Sequence, residues 1–98
     1  VRNVYNYPNP FKSDTYFTFQ HNLTEPVNVK IKVYSIAGRL IEEIEKRNIS
    51  QKFVKIYWNG RDKDGDMLAN GTYLYKLKVE TLSGEYSEDV LGKLAIIR

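Results

Sequence analysis

An all-β sandwich is the fold class predicted for this chain of 98 residues, and three observations predict it. Apolar and polar residues alternate with period two in successive short segments, the mark of strands with one dry face and one wet face. Tyr, Phe and Trp make up 13% of the residues, and these side chains suit half-buried pleated surfaces. Clusters of Gly, Asn, Asp, Ser and Pro separate the segments at intervals of roughly 8–12 residues, and no segment has a convincing helical period. The length fits one domain, residues 1–98, and such a domain buries only about 60–65% of its unfolded surface, so its core has to be efficient. Hydrophobic residues at 42% and charged residues at 28% form a globular balance, which excludes a disordered tail.

The elements follow in chain order. Pro8 and Pro10 hold φ near about −65° and lack N–H donors, so the opening segment is stiff and cannot sit mid-sheet. Phe11 is expected to plug one end of the sandwich. Tyr16 to His21 alternates, with Phe17 and Phe19 on one face. Val27, Val29, Ile31 and Val33 then form the clearest inward face, opposite Asn28, Lys30, Lys32 and Tyr34. Ser35-Ile36-Ala37-Gly38 reads as a type I turn followed by a left-handed glycine, which predicts a hairpin into Arg39–Glu45. The spacing of Leu40, Ile41 and Ile44 would also suit a short helix; the hairpin turn before it assigns it to a strand. Phe53 to Trp58 is a further strand with Val54, Ile56 and Trp58 inward, and Trp58 is expected to anchor the core. A polar loop spans Asn59 to Asn70. Thr72 to Glu80 alternates with Tyr73, Tyr75, Leu77 and Val79 on one face. After a turn at Leu82–Glu85, one or two strands occupy Tyr86 to Arg98. About seven short strands without a helix predict an immunoglobulin-like antiparallel β-sandwich.

The chemistry-bearing residues are sparse. Asp62, Asp64 and Asp66 copy the first ligand positions of a calcium loop, but Met67 stands where Gly is wanted and Tyr73 where a bidentate Glu is wanted. The favoured reading is an exposed turn with Gly65 at positive φ. His21 stands alone, with no nucleophile or carboxylate in a catalytic order, and reads as a packed or surface residue. The absence of Cys excludes a disulfide framework, a Cys-based zinc site and a thiol nucleophile within these residues. Net charge is +3. The excess is spread out, with Lys46-Arg47 the longest basic cluster, so nucleic acid is not expected as a partner. No apolar run approaches ~18 residues, so direct membrane insertion by a helix is not expected. No catalytic residue, cofactor or metal is expected.

Four motifs carry a resemblance. Asn6-Tyr7-Pro8-Asn9-Pro10-Phe11 resembles the opening of C-terminal sorting domains of the bacterial type IX secretion system. It is also similar to the related immunoglobulin-like domain of the flagellar hook-capping protein. Val33-Tyr34-Ser35-Ile36-Ala37-Gly38-Arg39, Trp58-Asn59-Gly60-Arg61-Asp62 and Asn70-Gly71-Thr72-Tyr73-Leu74-Tyr75 follow in the family's order. The ending Gly92-Lys93-Leu94-Ala95-Ile96-Ile97-Arg98 fits its last strand. One departure is that Lys12-Ser13-Asp14 precedes Thr15, where the family often has Asn-Pro. The loop Gly60–Asp66 and Leu68–Gly71 look most like the C-terminal domain of the system's gingipain-related sortase.

The resemblance implies a non-catalytic sorting or accessory domain, a C-terminal fragment of a larger exported protein. Its place would be the periplasm, outer membrane or cell surface of a bacterium. The implied partners are outer-membrane secretion or surface-attachment proteins, together with upstream domains of the same chain, where a cysteine peptidase would lie. The recognition element expected on physical grounds is the terminal strand, with Lys93, Leu94, Ile96, Ile97 and Arg98, because an edge strand offers unpaired backbone groups to a partner. The alternative is a hook-capping or carbohydrate-binding module in which Tyr16, Tyr34 and Tyr57 stack on sugars.

Overall fold

The computed structural model describes all residues, Val1–Arg98. Its strands are β1 (Arg2–Tyr7), β2 (Thr15–Gln20), β3 (Val27–Tyr34), β4 (Leu40–Ile49), β5 (Phe53–Trp58), β6 (Gly71–Thr81) and β7 (Ser87–Ile96). They form a three-stranded sheet in the order β1-β2-β5 and a four-stranded sheet in the order β4-β3-β6-β7. Every strand pairing is antiparallel, so the predicted immunoglobulin-like sandwich is the observed fold.

The period-two pattern decides which face each strand buries. Val27, Val29, Ile31 and Val33 are essentially inaccessible, and Leu77 and Val79 meet them from β6. Phe17 and Phe19 face them from the other sheet, together with Val54, Ile56 and Trp58. These side chains belong to one hydrophobic cluster of 18 buried residues. The Trp58 ring stacks against Phe17 at 6.0 Å and meets Phe11 edge-on at 5.8 Å. Its indole N–H donates to the carbonyl of Arg61 at 3.1 Å, so the largest core side chain leaves no donor unpaired. Phe11 is only 2% exposed and closes the end of the sandwich as expected.

The β3–β4 hairpin turn is also as predicted. Gly38 has φ +91° and donates to the carbonyl of Ser35 at 2.9 Å, while the Ser35 hydroxyl accepts from the N–H of Arg39 at 3.0 Å. Glycine is suited here because an L side chain rarely adopts that φ. The ambiguous spacing in β4 has a specific cause. Tyr34 lies opposite Leu40 but Val33 lies opposite Glu42, so Ile41 is the extra residue of a bulge. Ile41 is buried and Ile44 packs on the core, although strict alternation would point them to opposite faces.

One sequence expectation narrows and one strand is added. Of the one or two strands expected over Tyr86 to Arg98, a single one forms, β7. The additional strand is β1 at the beginning, whose single buried side chain, Asn6, is polar and therefore invisible to a hydrophobic pattern. Asn6 bonds the Thr15 hydroxyl at 3.3 Å and the Pro8 carbonyl at 3.4 Å, pinning the turn that leads to Phe11. Gly92 explains itself spatially. It lies opposite Tyr75, and a Cβ there would sit 2.3 Å from the tyrosine ring.

Candidate functional site

The terminal strand is less open than its position suggests. The N–H of Phe11 donates to the Ala95 carbonyl, and the N–H of Ile97 donates to the Phe11 carbonyl, both at 3.0 Å. Asn9 adds two bonds: its side-chain carbonyl accepts from the N–H of Ala95 at 3.0 Å, and its amide reaches the carbonyl of Lys93. The Tyr7–Phe11 segment, with cis peptides before Pro8 and Pro10, thus runs along the outer edge of β7. The expected unpaired backbone row at Lys93–Arg98 is therefore largely taken, because residues some 85 positions earlier in the chain supply the partners. Leu94 and Ile96 point into the core, at 1% and 0% exposure, whereas Lys93, Ile97 and Arg98 remain exposed. Arg98 is anchored through its N–H to the side chain of Asn70 at 3.1 Å and through its guanidinium to the carbonyl of Leu68.

The acidic loop is a compact turn. One carboxylate oxygen of Asp62 accepts from the N–H groups of Asp64 and Asp66, both at 2.9 Å. The N–H of Gly65 donates to the Asp62 carbonyl at 3.0 Å, and Arg61 caps the carbonyl of Gly65 at 3.0 Å. No three His, Cys, Asp or Glu residues converge as a metal-binding group. The N–H of Lys63 reaches the carbonyl of Ile41 at 3.0 Å, so the loop also docks on the start of β4.

His21 is a packed residue. It is 5% exposed; its Nδ1 accepts from the N–H of Leu23 at 3.2 Å, and its Nε2 lies 3.0 Å from the carbonyl of Gln51. This pairing requires the neutral tautomer protonated on Nε2. Burial holds its pKa below the ordinary imidazole value, and the nearby Lys52 charge acts in the same direction, against the opposing bond to Gln51.

The outer face of the three-stranded sheet is aromatic. Tyr7 lies opposite Tyr16, and Tyr16 lies opposite Tyr57, so three tyrosines stand abreast across β1, β2 and β5. Tyr16 and Tyr57 meet edge-on at 5.4 Å, and the Lys55 ammonium lies 4.2 Å from the centre of the Tyr16 ring. The Tyr57 hydroxyl donates to Asp14 at 3.1 Å, which raises its pKa. Tyr34 is elsewhere, on the outer face of the second sheet beside Leu40 and Leu74. The structure therefore joins Tyr16 and Tyr57, separates Tyr34 and adds Tyr7.

The outer face of the second sheet is charged. Glu45, Lys30, Lys78 and Asp89 form one row across β4, β3, β6 and β7, and Glu43, Lys32, Lys76 and Leu91 form the next. Each lysine pair is flanked by acid on at least one side, and Lys30 lies 3.7 Å from Glu45 and Lys76 3.5 Å from Asp89.

The sandwich differs between its two flanks. On the β1/β7 flank, the opening segment bridges the sheets, with Val1 lying beside Glu88. On the β4/β5 flank lies a groove of about 600 Å³, lined by Ile49, Phe53, Val54, Ile56 and Tyr57 and by Lys46, Arg47 and Lys55. Sequence reasoning missed this groove because its residues come from two strands that share no backbone ladder.

Comparison with known proteins places this geometry. The chain resembles dimeric latent PorU from Porphyromonas gingivalis, with a TM-score of 0.80 and 25% identity over 96% of the chain. It also resembles PorZ of the same organism, described as an essential bacterial surface component of the type-IX secretion system, with a TM-score of 0.54 and 29% identity over 98% of the chain. The chain spans only 9% and 12% of those two proteins. FlgD from Xanthomonas campestris shares the fold over 89% of this chain and 58% of its own, with a TM-score of 0.64 at 17% identity. A C5a peptidase of Streptococcus pyogenes is 44% identical over 39 residues, which is 40% of this chain and 3% of that protein. The expected kinship, type IX secretion components on one side and hook-capping proteins on the other, is what these comparisons find. The profile of the FlgD Ig-like domain matches residues 5–85, and the chain belongs to that family.

Proposed function

We propose that this domain is a non-catalytic sorting or accessory module in type IX protein secretion, recognised by outer-membrane secretion or surface-attachment proteins. The observation that carries the reading is the likeness to PorU, 25% identical over 96% of the chain at a TM-score of 0.80. The likeness to a surface component of that secretion system supports it. On this reading the domain works in an exported protein, at the periplasm, outer membrane or cell surface. Its larger parent carries a gingipain-like cysteine peptidase upstream, as in the secretion sortase. The proposed recognition surface includes the C-terminal residues Lys93, Ile97 and Arg98, held in place by the buried Leu94 and Ile96.

The test changes only exposed side chains. Lys93→Glu combined with Ile97→Ser is expected to leave the thermal unfolding midpoint near that of the parent domain. The same variant is expected to lose capture of outer-membrane secretion components and to reduce export. A folded variant with undiminished capture and export would remove these residues from the recognition surface; a parent domain that captures no secretion component would remove the function itself.

A second reading is favoured by one observation, the row Tyr7–Tyr16–Tyr57. Aromatic rings on a flat sheet face can pack against the apolar faces of sugar rings, which supports a carbohydrate-binding module. Binding of the isolated domain on a glycan array, abolished by Tyr7→Ala with Tyr57→Ala, would favour that reading.

A further inference from the structure

We infer that the free edge of β5 is a docking site for an extended polypeptide segment carrying carboxylates between apolar residues, which adds to the first sheet as an extra strand. The inference deepens the recognition role proposed above and rests on it for its biological use.

The sandwich has two open sheets and hence four edge strands, β1, β5, β4 and β7. Bare edges pair with other chains, so folded proteins usually blunt them. β7 is covered over its C-terminal part, from Lys93 to Ile97, by Asn9 and Phe11. β1 slips register between Arg2 and Tyr5, with Asn3 at φ +54°. β4 is bulged near both ends, has Asn48 at φ +57°, and gives the carbonyl of Ile41 to Lys63. β5 has none of these devices. Its six residues pair with β2 without a shift, from Thr15 opposite Trp58 to Gln20 opposite Phe53. The backbone hydrogen bonds of Phe53–Trp58 run to β2 alone.

The groove beside this edge specifies what would fill it. Ile49, Val54 and Ile56 supply an apolar floor, and Phe53 and Tyr57 stand at 55% and 50% exposure. Alternate side chains of an added strand would rest there while its backbone pairs with β5. Six residues accommodate a strand of about 20 Å. The rim carries Lys46, Arg47 and Lys55 and no acidic residue. Arg47 is shared with Glu45 at 3.2 Å and Lys55 rests over the Tyr16 ring, whereas Lys46 has neither an ion pair nor a ring contact. Carboxylates on the incoming strand complement this rim. A second copy joined β5 to β5 would set the same cations against each other, which opposes self-pairing.

The probe is a synthetic peptide, acetyl-Asp-Val-Glu-Val-Glu-Val-Asp-amide, with a control in which every acidic residue is Lys. On titration into the 98-residue chain, the acidic peptide is expected to shift the NMR signals of Phe53–Trp58 and slow their amide exchange. Lys46→Glu with Lys55→Glu, both exposed positions, is expected to weaken that binding at least tenfold and to admit the lysine peptide. Three results overturn the inference: no change at Phe53–Trp58 with millimolar acidic peptide, equal binding of both peptides, or a β5-mediated dimer in sedimentation velocity. No secretion component enters this assay, so its failure leaves the secretion reading intact, and failure of the export assay leaves peptide docking intact.

Discussion

Trp58 shows how much of this small core rests on single side chains. It touches Phe11 and Phe17, donates its N–H to Arg61, and is 2% exposed. Trp58→Ala is expected to cost about 3–5 kcal/mol, measured by urea denaturation, because both buried area and packing are lost. His21 gives a pH-dependent contribution of definite sign. Its folded pKa lies below the unfolded value, so the unfolded chain binds the proton more readily. The contribution is present above the unfolded pKa and is lost as pH falls through the folded one. His21→Gln should therefore show a smaller decline in urea midpoint between pH 7.5 and 5 than the parent chain. Protonation would also remove the acceptor for the Leu23 N–H, which the neutral ring supplies. The sequence shows a lone histidine; it cannot show that Gln51 and Leu23 fold around it.

At the scale of strands, legibility depends on how closely a segment keeps to its period. β3 alternates without interruption and can be read directly from its valines and lysines. β4 cannot, because the bulge at Ile41 puts two residues of opposite parity on one face. β1 is hidden for a different reason: its strand pairing is backbone chemistry, and its inward side chain is Asn6. The acidic loop was legible as a turn, since Asp62 bonding the N–H groups two and four residues ahead is local chemistry. Sheet rows lead to a prediction at this scale. Glu45–Lys30–Lys78–Asp89 encloses two bases between two acids, whereas the next row ends on Leu91, which is 77% exposed. Leu91→Glu places a carboxylate opposite Lys76 and completes the pattern. The expected gain is about 0.2–1 kcal/mol in urea denaturation, diminishing as salt is raised.

Across the whole molecule, the fold class was legible because repeated alternation and turn chemistry agree with one another. Which edges stay open was not, because that depends on contacts between remote parts of the chain. Asn9 reaching β7 is the clearest case, and it moves the open flank from the terminal strand to β5. The same attachment has a mechanical consequence. Val1 sits by Glu88 while Phe11 brackets Ala95 and Ile97, so the first and last stretches lie side by side and run in the same direction. Tension applied between Val1 and Arg98 must slide these stretches lengthwise, loading their crosslinks together instead of peeling them one by one. Force spectroscopy should therefore find greater resistance when the domain is stretched from its two ends than when it is stretched across the β3–β4 hairpin, and Asn9→Ala should narrow that difference.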